Sequence, residues 1–366
     1  MGIFVHDIAT SVPPHHSDQQ HIREVMKEHV GSDRKSQAII HQIYKRSGIK
    51  KRHSVVEDFT PNQEGELFFN GQIKKAPGTF ARNSIYERES KKLFVDVARK
   101  LLADNTHISS EEITHVITVS CTGFFAPGPD FEIVKALGLK PATERFHIGF
   151  MGCYAAFPAL KMAESFCKAD SEATVLLVSA ELCTIHFQFN NEIDNLLSGS
   201  VFADGAAGML ISSEAPKKKA LEIQQFASTL AFKGEKDMAW TIGDHGFEMV
   251  LSTYVPDIIR ENLHSVLQPI YDQYGLKTSG IDYWAVHPGG RSILDKVENS
   301  LELQPQQIEA SRKTLSDFGN MSSATILFVM KELLQSDLSH GNKIISMAFG
   351  PGLTIESGLF TVYNPS

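Results

Sequence analysis

The sequence predicts an α/β fold in which helices cover the faces of sheets. The 366 residues are 42% hydrophobic and 21% charged, which provides apolar material for a large core. Amphipathic stretches at helical spacing alternate with short apolar runs for most of the chain. The run at 174–182 is apolar and rich in β-branched residues, which is typical of a strand covered on both faces. Strands that alternate with helices in this way favour α/β architecture.

The elements up to residue 213 follow from their local patterns. Residues 84–104 carry apolar side chains along one helical stripe, and Ser109 with Glu112 matches the S-x-x-E signature of a helical cap. The remaining segments of this part are predicted as a strand at 115–120, a helix at 131–139, a strand at 145–150, a helix at 154–169, and strands at 174–182 and 205–213.

A break in the sequence divides the chain into two parts. Residues 213–219 contain Pro216 and three consecutive lysines, so we expect one half at 1–216 and a second at 217–366. The second half is predicted to contain a helix near 254–275, a strand at 283–287, helices at 291–301 and 321–335, and closing strands at 343–352 and 353–363.

The composition argues against several classes of protein. With 35 Lys and Arg against 43 Asp and Glu, the net charge of −8 disfavours nucleic-acid binding, which needs a basic face. Four cysteines, none in a C-x-x-C pair, do not suggest a disulfide scaffold, a zinc ribbon or thioredoxin chemistry. Residues 1–16 lack the features of a signal peptide, and no uncharged stretch approaches the ~20 residues of a membrane span. We therefore expect a reduced, cytoplasmic protein without membrane contact.

Cys153 is the first candidate for a chemical role. It lies between the predicted strand at 145–150 and a helix predicted to begin near Tyr154, where unpaired N–H groups and the helix dipole would favour a thiolate. The alternative is a buried structural cysteine, an interpretation that suits Cys167 in the same helix. Cys121 and Cys183 each end a predicted strand, so we expect them to form pocket walls.

His287 and Asn320 are the other two candidates. His287 ends a predicted strand and precedes a Pro-Gly-Gly turn, and open α/β folds bind ligands at such edges. Asn320 precedes an apolar helix; it could be a simple N-cap, or its amide could donate to an oxyanion in a pocket. A cysteine, a histidine and an asparagine together can supply a nucleophile, a base and an oxyanion donor, which is sufficient for acyl transfer.

Five strings in order carry a resemblance to a known family. They are MGCYAAFPALK around Cys153, SVFADGAAGMLI around Phe202, WAVHPGGRSILD around His287, FGNMSSATILF around Asn320 and FGPGLTIE near the C-terminus. On these motifs the sequence resembles the type III polyketide synthases, the chalcone-synthase-like branch of the thiolase superfamily. The resemblance runs from about residue 45 to the end of the chain.

The resemblance implies a fold, a reaction and a catalytic set. The fold would be a thiolase fold, with two similar βαβαβ halves in a five-layer α-β-α-β-α arrangement, and the usual unit would be a homodimer. The first half would carry the nucleophile Cys153, and the second His287 and Asn320. The reaction would be iterative decarboxylative Claisen condensation of malonyl-CoA onto an acyl-CoA starter. CoA thioesters would be substrates, and neither a metal nor a redox cofactor is expected.

The resemblance also implies which residues shape the pocket. Phe202 would stand at a gate between the CoA tunnel and the cavity, and Met249 would replace the second gating phenylalanine of plant members. The remaining residues expected in the pocket wall are Cys121, Cys183, His186 and Ser322. Because Met249 would be a flexible wall, we expect an aliphatic starter and a pyrone or resorcinol product.

A basic cluster and three alternative functions complete the predictions. The cluster expected to attract the phosphates of CoA is formed by Lys45, Arg46, Lys50, Lys51 and Arg52.

One alternative function is a single condensation like that of the initiating ketoacyl-carrier-protein synthases, although in those enzymes the catalytic His is typically followed by Gln-Ala-Asn. A papain-like cysteine protease is disfavoured because its C-G-S-C-W signature is absent. A non-catalytic acyl-CoA-binding module would have no physical reason to retain the Cys, His and Asn together.

Overall fold

The computed structural model of the chain describes residues 2–61, 65–70, 73–74 and 76–365. The strands are β1 Ile3–Ser11, β2 His15–Asp18, β3 Lys51–Ser54, β4 Phe69–Asn70, β5 Ile73–Lys74, β6 His115–Ser120, β7 Glu144–Gly149, β8 Thr174–Leu182, β9 Asp204–Ser212, β10 Ala220–Leu230, β11 Met238–Gly243, β12 Gly246–Leu251, β13 Tyr283–Val286, β14 Lys343–Gly350 and β15 Thr354–Tyr363. The α-helices are α1 Gln19–His29, α2 Arg34–Arg46, α3 Thr79–Asp104, α4 Pro129–Leu137, α5 Ala156–Ala169, α6 Ile193–Val201, α7 Val255–Tyr274, α8 Arg291–Ser300, α9 Glu309–Phe318 and α10 Thr325–Gln335.

The largest sheet consists of two half-sheets that meet at β1 and β10. Within the described residues it has nine strands in the order β13-β14-β15-β10-β1-β9-β8-β6-β7. The contact between the halves is short, since β1 and β10 pair antiparallel only over 3–5 and 221–223. Strand β1 pairs much further along β9, and β10 along β15. The two half-sheets are therefore separate units joined by a narrow seam.

The two half-sheets repeat one pattern of strand directions. In the first, β8 is parallel to β6, and β9 is antiparallel to both β8 and β1. In the second, β14 is parallel to β13, and β15 is antiparallel to both β14 and β10. Strand β7 extends the first half-sheet at its outer edge, parallel to β6. By this pattern β6 corresponds to β13, and α5, which leads into β8, corresponds to α10, which leads into β14.

Helices α5 and α10 form a central layer between the half-sheets. Every residue from Thr325 to Met330 at the start of α10 is buried, as expected of a helix that is covered on all sides. Both helices contribute to one apolar cluster with residues of both half-sheets. Helix α3 packs on the other face of the first half-sheet, and α7 on the other face of the second. The layers are thus α3, first half-sheet, α5 with α10, second half-sheet, and α7, which is the predicted five-layer thiolase arrangement.

Most of the predicted elements are found close to their expected bounds. The strands at 115–120 and 174–182 match β6 and β8, and Ser109 with Glu112 forms a capping box. The helix predicted near Tyr154 begins later, because a 3-10 turn at Gly152–Tyr154 precedes α5. The predicted division between residues 216 and 217 falls in the connection from β9 to β10, and it stays a prediction. No helix of the described residues combines the length and hydrophobicity needed to cross a membrane.

Candidate active site

Cys153 lies in the 3-10 turn at Gly152–Tyr154, between β7 and α5. Gly152 has φ +77°, a backbone conformation that side-chain-bearing residues rarely adopt. A Cβ added at Gly152 would lie 2.4 Å from Cδ of Pro351, and one added at Gly350 would lie 2.4 Å from Cδ1 of Tyr154. The loop at 350–352 therefore packs directly against the turn that carries the sulfur, and the glycines are what make this approach possible.

His287 directly follows β13 and is buried. Its backbone is fixed because its N–H donates to the carbonyl of Met347 on β14 at 2.8 Å, and its carbonyl accepts from the N–H of Gly289 at 3.0 Å. Neither ring nitrogen has a hydrogen-bond partner within the described chain. The imidazole is thus held by its backbone, with both nitrogens available to a bound substrate. Burial lowers the pKa of His287 to about 3.

Asn320 is oriented by hydrogen bonds on both of its side-chain atoms. Its Oδ1 accepts from the backbone N–H of Ser322 at 2.9 Å, at the start of the 3-10 turn Ser322–Ala324. Its Nδ2 donates to the carbonyl of Gly289 at 3.3 Å, in the turn that follows His287. The N-cap of α10 is Ala324 and that of the 3-10 turn is Met321, so the interpretation of Asn320 as a simple N-cap is not confirmed. The two bonds instead fix the amide with its donor edge toward the His287 turn.

The three side chains line one chamber, which encloses about 590 Å³ of space including its opening to solvent. The predicted wall residues that line it are Cys121, Cys183, Phe202, Met249 and Ser322. Cys121 Sγ lies 3.3 Å from Oγ of Ser322. Cys121 follows β6 just as His287 follows β13, so corresponding edges of the two half-sheets face the same space. A sulfur, an imidazole and an amide from separate parts of the sequence thus meet in one cavity.

The structure contradicts the prediction that His186 lines the chamber. The His186 side chain lies in an adjacent cavity that shares Cys183, Phe202 and Met249 with the chamber. Both ring nitrogens are used, one with the carbonyl of Thr122 at 2.7 Å and the other with the N–H of Phe247 at 3.0 Å. The ring also stacks on Phe247. His186 therefore supports the wall from behind.

The structure also contradicts the assignment of Arg52 to CoA binding. Arg52 is only 3% exposed, and its guanidinium donates to the carbonyls of Gly199 and Phe202. A group so enclosed does not reach a phosphate at the surface. The other members of the basic cluster are exposed or half-buried; these are Lys45, Arg46, Lys50 and Lys51.

Glu181, which the sequence analysis missed, is a buried carboxylate behind the chamber. It is the penultimate residue of β8 and accepts hydrogen bonds from Cys121 N at 2.9 Å and Thr122 Oγ1 at 2.8 Å, and also from the hydroxyls of Ser120 and Ser323. Burial raises the pKa of Glu181 despite these donors. An acidic residue at the end of an otherwise apolar strand was the signal for it in the sequence.

Electrostatics oppose a lone charge on the Cys153 sulfur. Burial raises the pKa of Cys153 to about 11; the Glu181 charge acts in the same direction, while hydrogen bonds from Ser322 and Asn320 act against it. Since burial also disfavours an imidazolium at His287, a thiolate–imidazolium pair of Cys153 and His287 would depend on the attraction between its own two charges. A backbone hydrogen bond within the turn also lowers the pKa of Cys153, but it does not outweigh burial.

Trp240 is a second residue that sequence reasoning missed. It lies on β11, opposite Met249 of β12 in the hairpin register, and lines both the chamber and the adjacent cavity. Its Nε1 donates to the carbonyl of Cys121 at 2.8 Å. Met238 and Leu251 of the same hairpin also line the chamber. The indole is thus a fixed partition between two cavities, and alternation in the hairpin strands was the available signal.

The described residues hold no cluster of three or more His, Cys, Asp or Glu side chains suited to a metal ion. The fold and the chamber together define a class of protein, one with a thiolase-type fold and a single enclosed site between its two half-sheets. Two family models then cover nearly the whole chain: the N-terminal domain of chalcone and stilbene synthases matches residues 3–215, and the C-terminal domain matches residues 222–362. The chain belongs to the chalcone and stilbene synthase family and is a type III polyketide synthase, a transferase that makes polyketides by condensation. Members of this family use acyl-CoA and malonyl-CoA substrates.

Solved structures of type III polyketide synthases share the fold over the full length. PKS-I from the brown alga Ectocarpus siliculosus is 27% identical with a TM-score of 0.89, covering 99% of this chain and 98% of that chain. The C-terminal type III domain of Steely1, a type I/III hybrid from Dictyostelium, is 28% identical with a TM-score of 0.91, covering 99% of each chain. The 1,3,6,8-tetrahydroxynaphthalene synthase from Streptomyces coelicolor A3(2) is 26% identical with a TM-score of 0.88, covering 99% of this chain and all of that chain.

Proposed function

We propose that the protein catalyses iterative decarboxylative Claisen condensation of malonyl-CoA onto an acyl group carried by Cys153. The observation that carries this proposal is the convergence of Cys153, His287 and Asn320 on one chamber. These groups can act as nucleophile, base and oxyanion donor. The family membership supports the same reaction class.

In the first step Cys153 is acylated. A thiolate at Cys153, paired with an imidazolium at His287, attacks the carbonyl of the starter acyl-CoA. The new carbon–sulfur bond forms as the bond to CoA breaks, and the departing CoA thiolate takes the proton from His287. The imidazole is then neutral, the form that burial favours, and it can donate one N–H to the next substrate.

In the second step malonyl-CoA loses carbon dioxide beside the acyl-cysteine. The electrons of the broken carbon–carbon bond form an enolate, and His287 and the Nδ2 edge of Asn320 donate hydrogen bonds to its oxygen. The enolate carbon attacks the acyl carbon, and the bond to Cys153 breaks to restore the thiolate. The product is longer by two carbons, and His287 regains a proton from solvent before the next cycle.

The walls of the chamber support a preference for an aliphatic starter. Phe202, Met249 and Leu251 are apolar wall residues, and methionine adapts its shape to flexible chains. We propose Phe202 as the gate on the CoA side and a pyrone, resorcinol or phloroglucinol as the product. The neighbouring fixed partition, Trp240, would limit how far a growing chain extends toward the adjacent cavity.

We further propose that the CoA phosphates bind near Lys45, Arg46, Lys50 and Lys51. The support is that three of them are exposed and Lys51 is half-buried in a chain whose net charge is −8, where a local basic patch would attract an anionic substrate. We propose that the reaction uses no metal or redox cofactor, since all its steps are accounted for by the three side chains. Activity after exhaustive dialysis against a chelator checks this directly.

A homodimer is the proposed unit. Strand β7 pairs with β6 on one side only and is a free edge within the described chain. Phe124 and Phe131, which are exposed large apolar residues, lie in the segment between β6 and β7. An unpaired strand edge with apolar neighbours favours pairing with a second copy. Light scattering on the purified protein measures the mass of this unit.

The test of the reaction is a panel of acyl-CoA starters with malonyl-CoA, analysed by mass spectrometry. The wild type is expected to give condensation products and an acyl adduct on Cys153. Cys153→Ala should abolish both, whereas Cys167→Ala should retain both because Cys167 is buried in α5 and bonds only to carbonyls of 173 and 211. Condensation that survives in Cys153→Ala would refute the assignment of the nucleophile.

The oxyanion role is tested separately through carbon dioxide release from malonyl-CoA. Asn320→Ala is expected to lower the decarboxylation rate by about 10²–10³, the usual effect of losing one oxyanion donor. Unchanged release of carbon dioxide would contradict the role given to the Asn320 amide.

A further inference from the structure

Arg52 is a buried cation without a close anionic partner. It lies on β3, and no carboxylate approaches its guanidinium within 4 Å in the described part of the chain. Asp204 contributes attraction from further away. Burial of a charge in this way is costly unless hydrogen bonds compensate it. Within the described chain Nε and Nη2 have no partner and only Nη1 donates, so the Nη1 bonds indicate what Arg52 holds.

Those bonds hold the end of helix α6 and the residue that follows it. Arg52 Nη1 donates to the carbonyl of Gly199 at 2.8 Å and to that of Phe202 at 2.6 Å. Carbonyls at a helix C-terminus lack partners within the helix, and the helix dipole favours a cation there. The rings of Tyr44 and Phe187 lie near the guanidinium, each 5.9 Å from its carbon, and Tyr44 also donates to the Gly199 carbonyl at 3.0 Å.

The segment that Arg52 holds is bonded directly to Asn320. The backbone N–H of Asn320 donates to the carbonyl of Val201 at 2.8 Å, and the N–H of Ala203 donates to the carbonyl of Asn320 at 2.9 Å. Residues on either side of Phe202 therefore fix the backbone that carries the amide. The contact is tight, because a Cβ added at Gly319 would lie 2.9 Å from the Val201 oxygen and 3.0 Å from Cγ of Arg52.

Cys153 is located by different elements. Its turn packs against the loop at 350–352 and leads into α5, and none of these contacts involves Arg52. Arg52 itself does not line the chamber. Loss of the guanidinium should therefore disturb the gate Phe202 and the amide of Asn320 while the sulfur keeps its position.

We infer that Arg52 is a positioning residue that holds Phe202 and Asn320 in place for the malonyl-CoA step. This inference rests on the proposed function, in which Asn320 stabilises the enolate. It replaces the prediction that Arg52 binds CoA, and the two assignments differ in what they expect of kinetics. A CoA contact would raise KM for malonyl-CoA with kcat retained, whereas a positioning residue lowers kcat.

The test compares Arg52→Met with Arg82→Met, a matched substitution of a second buried arginine. Arg82 also donates to backbone carbonyls, those of Pro77, Ile185 and Phe187, but its partners are not bonded to Asn320. Arg52→Met is expected to lower kcat for malonyl-CoA decarboxylation by about 10–100-fold, the scale of a misplaced donor, with KM changed less than threefold. Alkylation of Cys153 by iodoacetamide should stay within twofold of the wild type. In Arg82→Met the decarboxylation rate and the Cys153 alkylation rate should change by the same factor.

Hydrogen exchange supplies a readout that does not depend on the reaction. Arg52→Met is expected to speed amide exchange at 199–203 and 319–322 and to leave 152–156 unchanged. Arg52→Lys, which keeps a donor and a charge, should recover part of the protection and part of kcat, and it also serves if the methionine variant does not fold. Unaltered exchange at 199–203 and 319–322 would overturn the inference, as would equal losses of decarboxylation and Cys153 alkylation. A wild type that releases no carbon dioxide would instead refute the proposed function and leave the exchange result to decide the role of Arg52.

Discussion

The turn at Gly152 offers a test of how closely the sulfur position depends on one contact. Gly152→Ala must adopt φ +77° and also place a methyl carbon 2.4 Å from Cδ of Pro351. The conformation alone costs about 1–2 kcal/mol for a residue with a side chain. To reach an ordinary contact of about 3.4 Å, the turn and the loop at 350–352 must separate by about 1 Å, and a displacement of that size can lower a catalytic rate by about 10²-fold. We expect an enzyme that still folds but acylates Cys153 about a hundred times more slowly.

Gly138→Ala is the matched control for this substitution. Gly138 also has a left-handed backbone, with φ +63°, but a Cβ added there meets nothing within 4 Å. Both variants should therefore carry the cost of the left-handed backbone in thermal unfolding, Gly152→Ala should lose additional stability through its contact with Pro351, and only Gly152→Ala should lose the acylation rate. Single-turnover mass spectrometry of the Cys153 adduct measures this rate. If the two variants acylate at the same rate, the argument that Gly152 sets the sulfur position is refuted.

Two further predictions concern the charge on the sulfur and the size of the chamber. In His287→Gln the Cys153 thiol loses its proposed cationic partner, so its pKa should stay at the value of about 11 that burial produces. The rate of Cys153 alkylation by iodoacetamide in this variant should then keep rising through pH 9. In the wild type, and in the control His245→Gln at an exposed histidine, the rate should level off near neutral pH. Identical pH profiles would refute the proposed ion pair. Trp240→Gly removes the partition between the chamber and the adjacent cavity. Mass spectrometry should then detect products that are at least one two-carbon unit longer. An unchanged product would show that another wall sets the product length.

The fold and the central set of residues could be predicted because their signals are local. The burial of β8 shows in a run of mostly apolar and β-branched residues, and Cys153, His287 and Asn320 each stand where a strand ends or a helix is about to begin. Glycines beside two of them indicate that another group approaches closely. The motifs of a known family then identified which of these local signals belong together.

Arg52 shows what the sequence could not reveal. Its neighbours Lys50 and Lys51 are exposed or half-buried, so the string reads as a solvated basic cluster. The rings that enclose Arg52 come from residues 44 and 187, and the carbonyls that it holds come from 199 and 202. Burial that is created by contacts so distant in sequence leaves no periodic pattern. The same applies to Glu181, whose donors come from residues 120–122 and 323.

The division of the site between the two half-sheets has a consequence for synthesis of the chain. Cys153 precedes β8, whereas His287 and Asn320 follow β13 and α9. The residues that enclose the sulfur, such as Phe349 and Pro351, also come from the second half. Under the proposed function, a chain that ends before β13 therefore has an unenclosed thiol and no group to hold an enolate, and we expect no condensation from it.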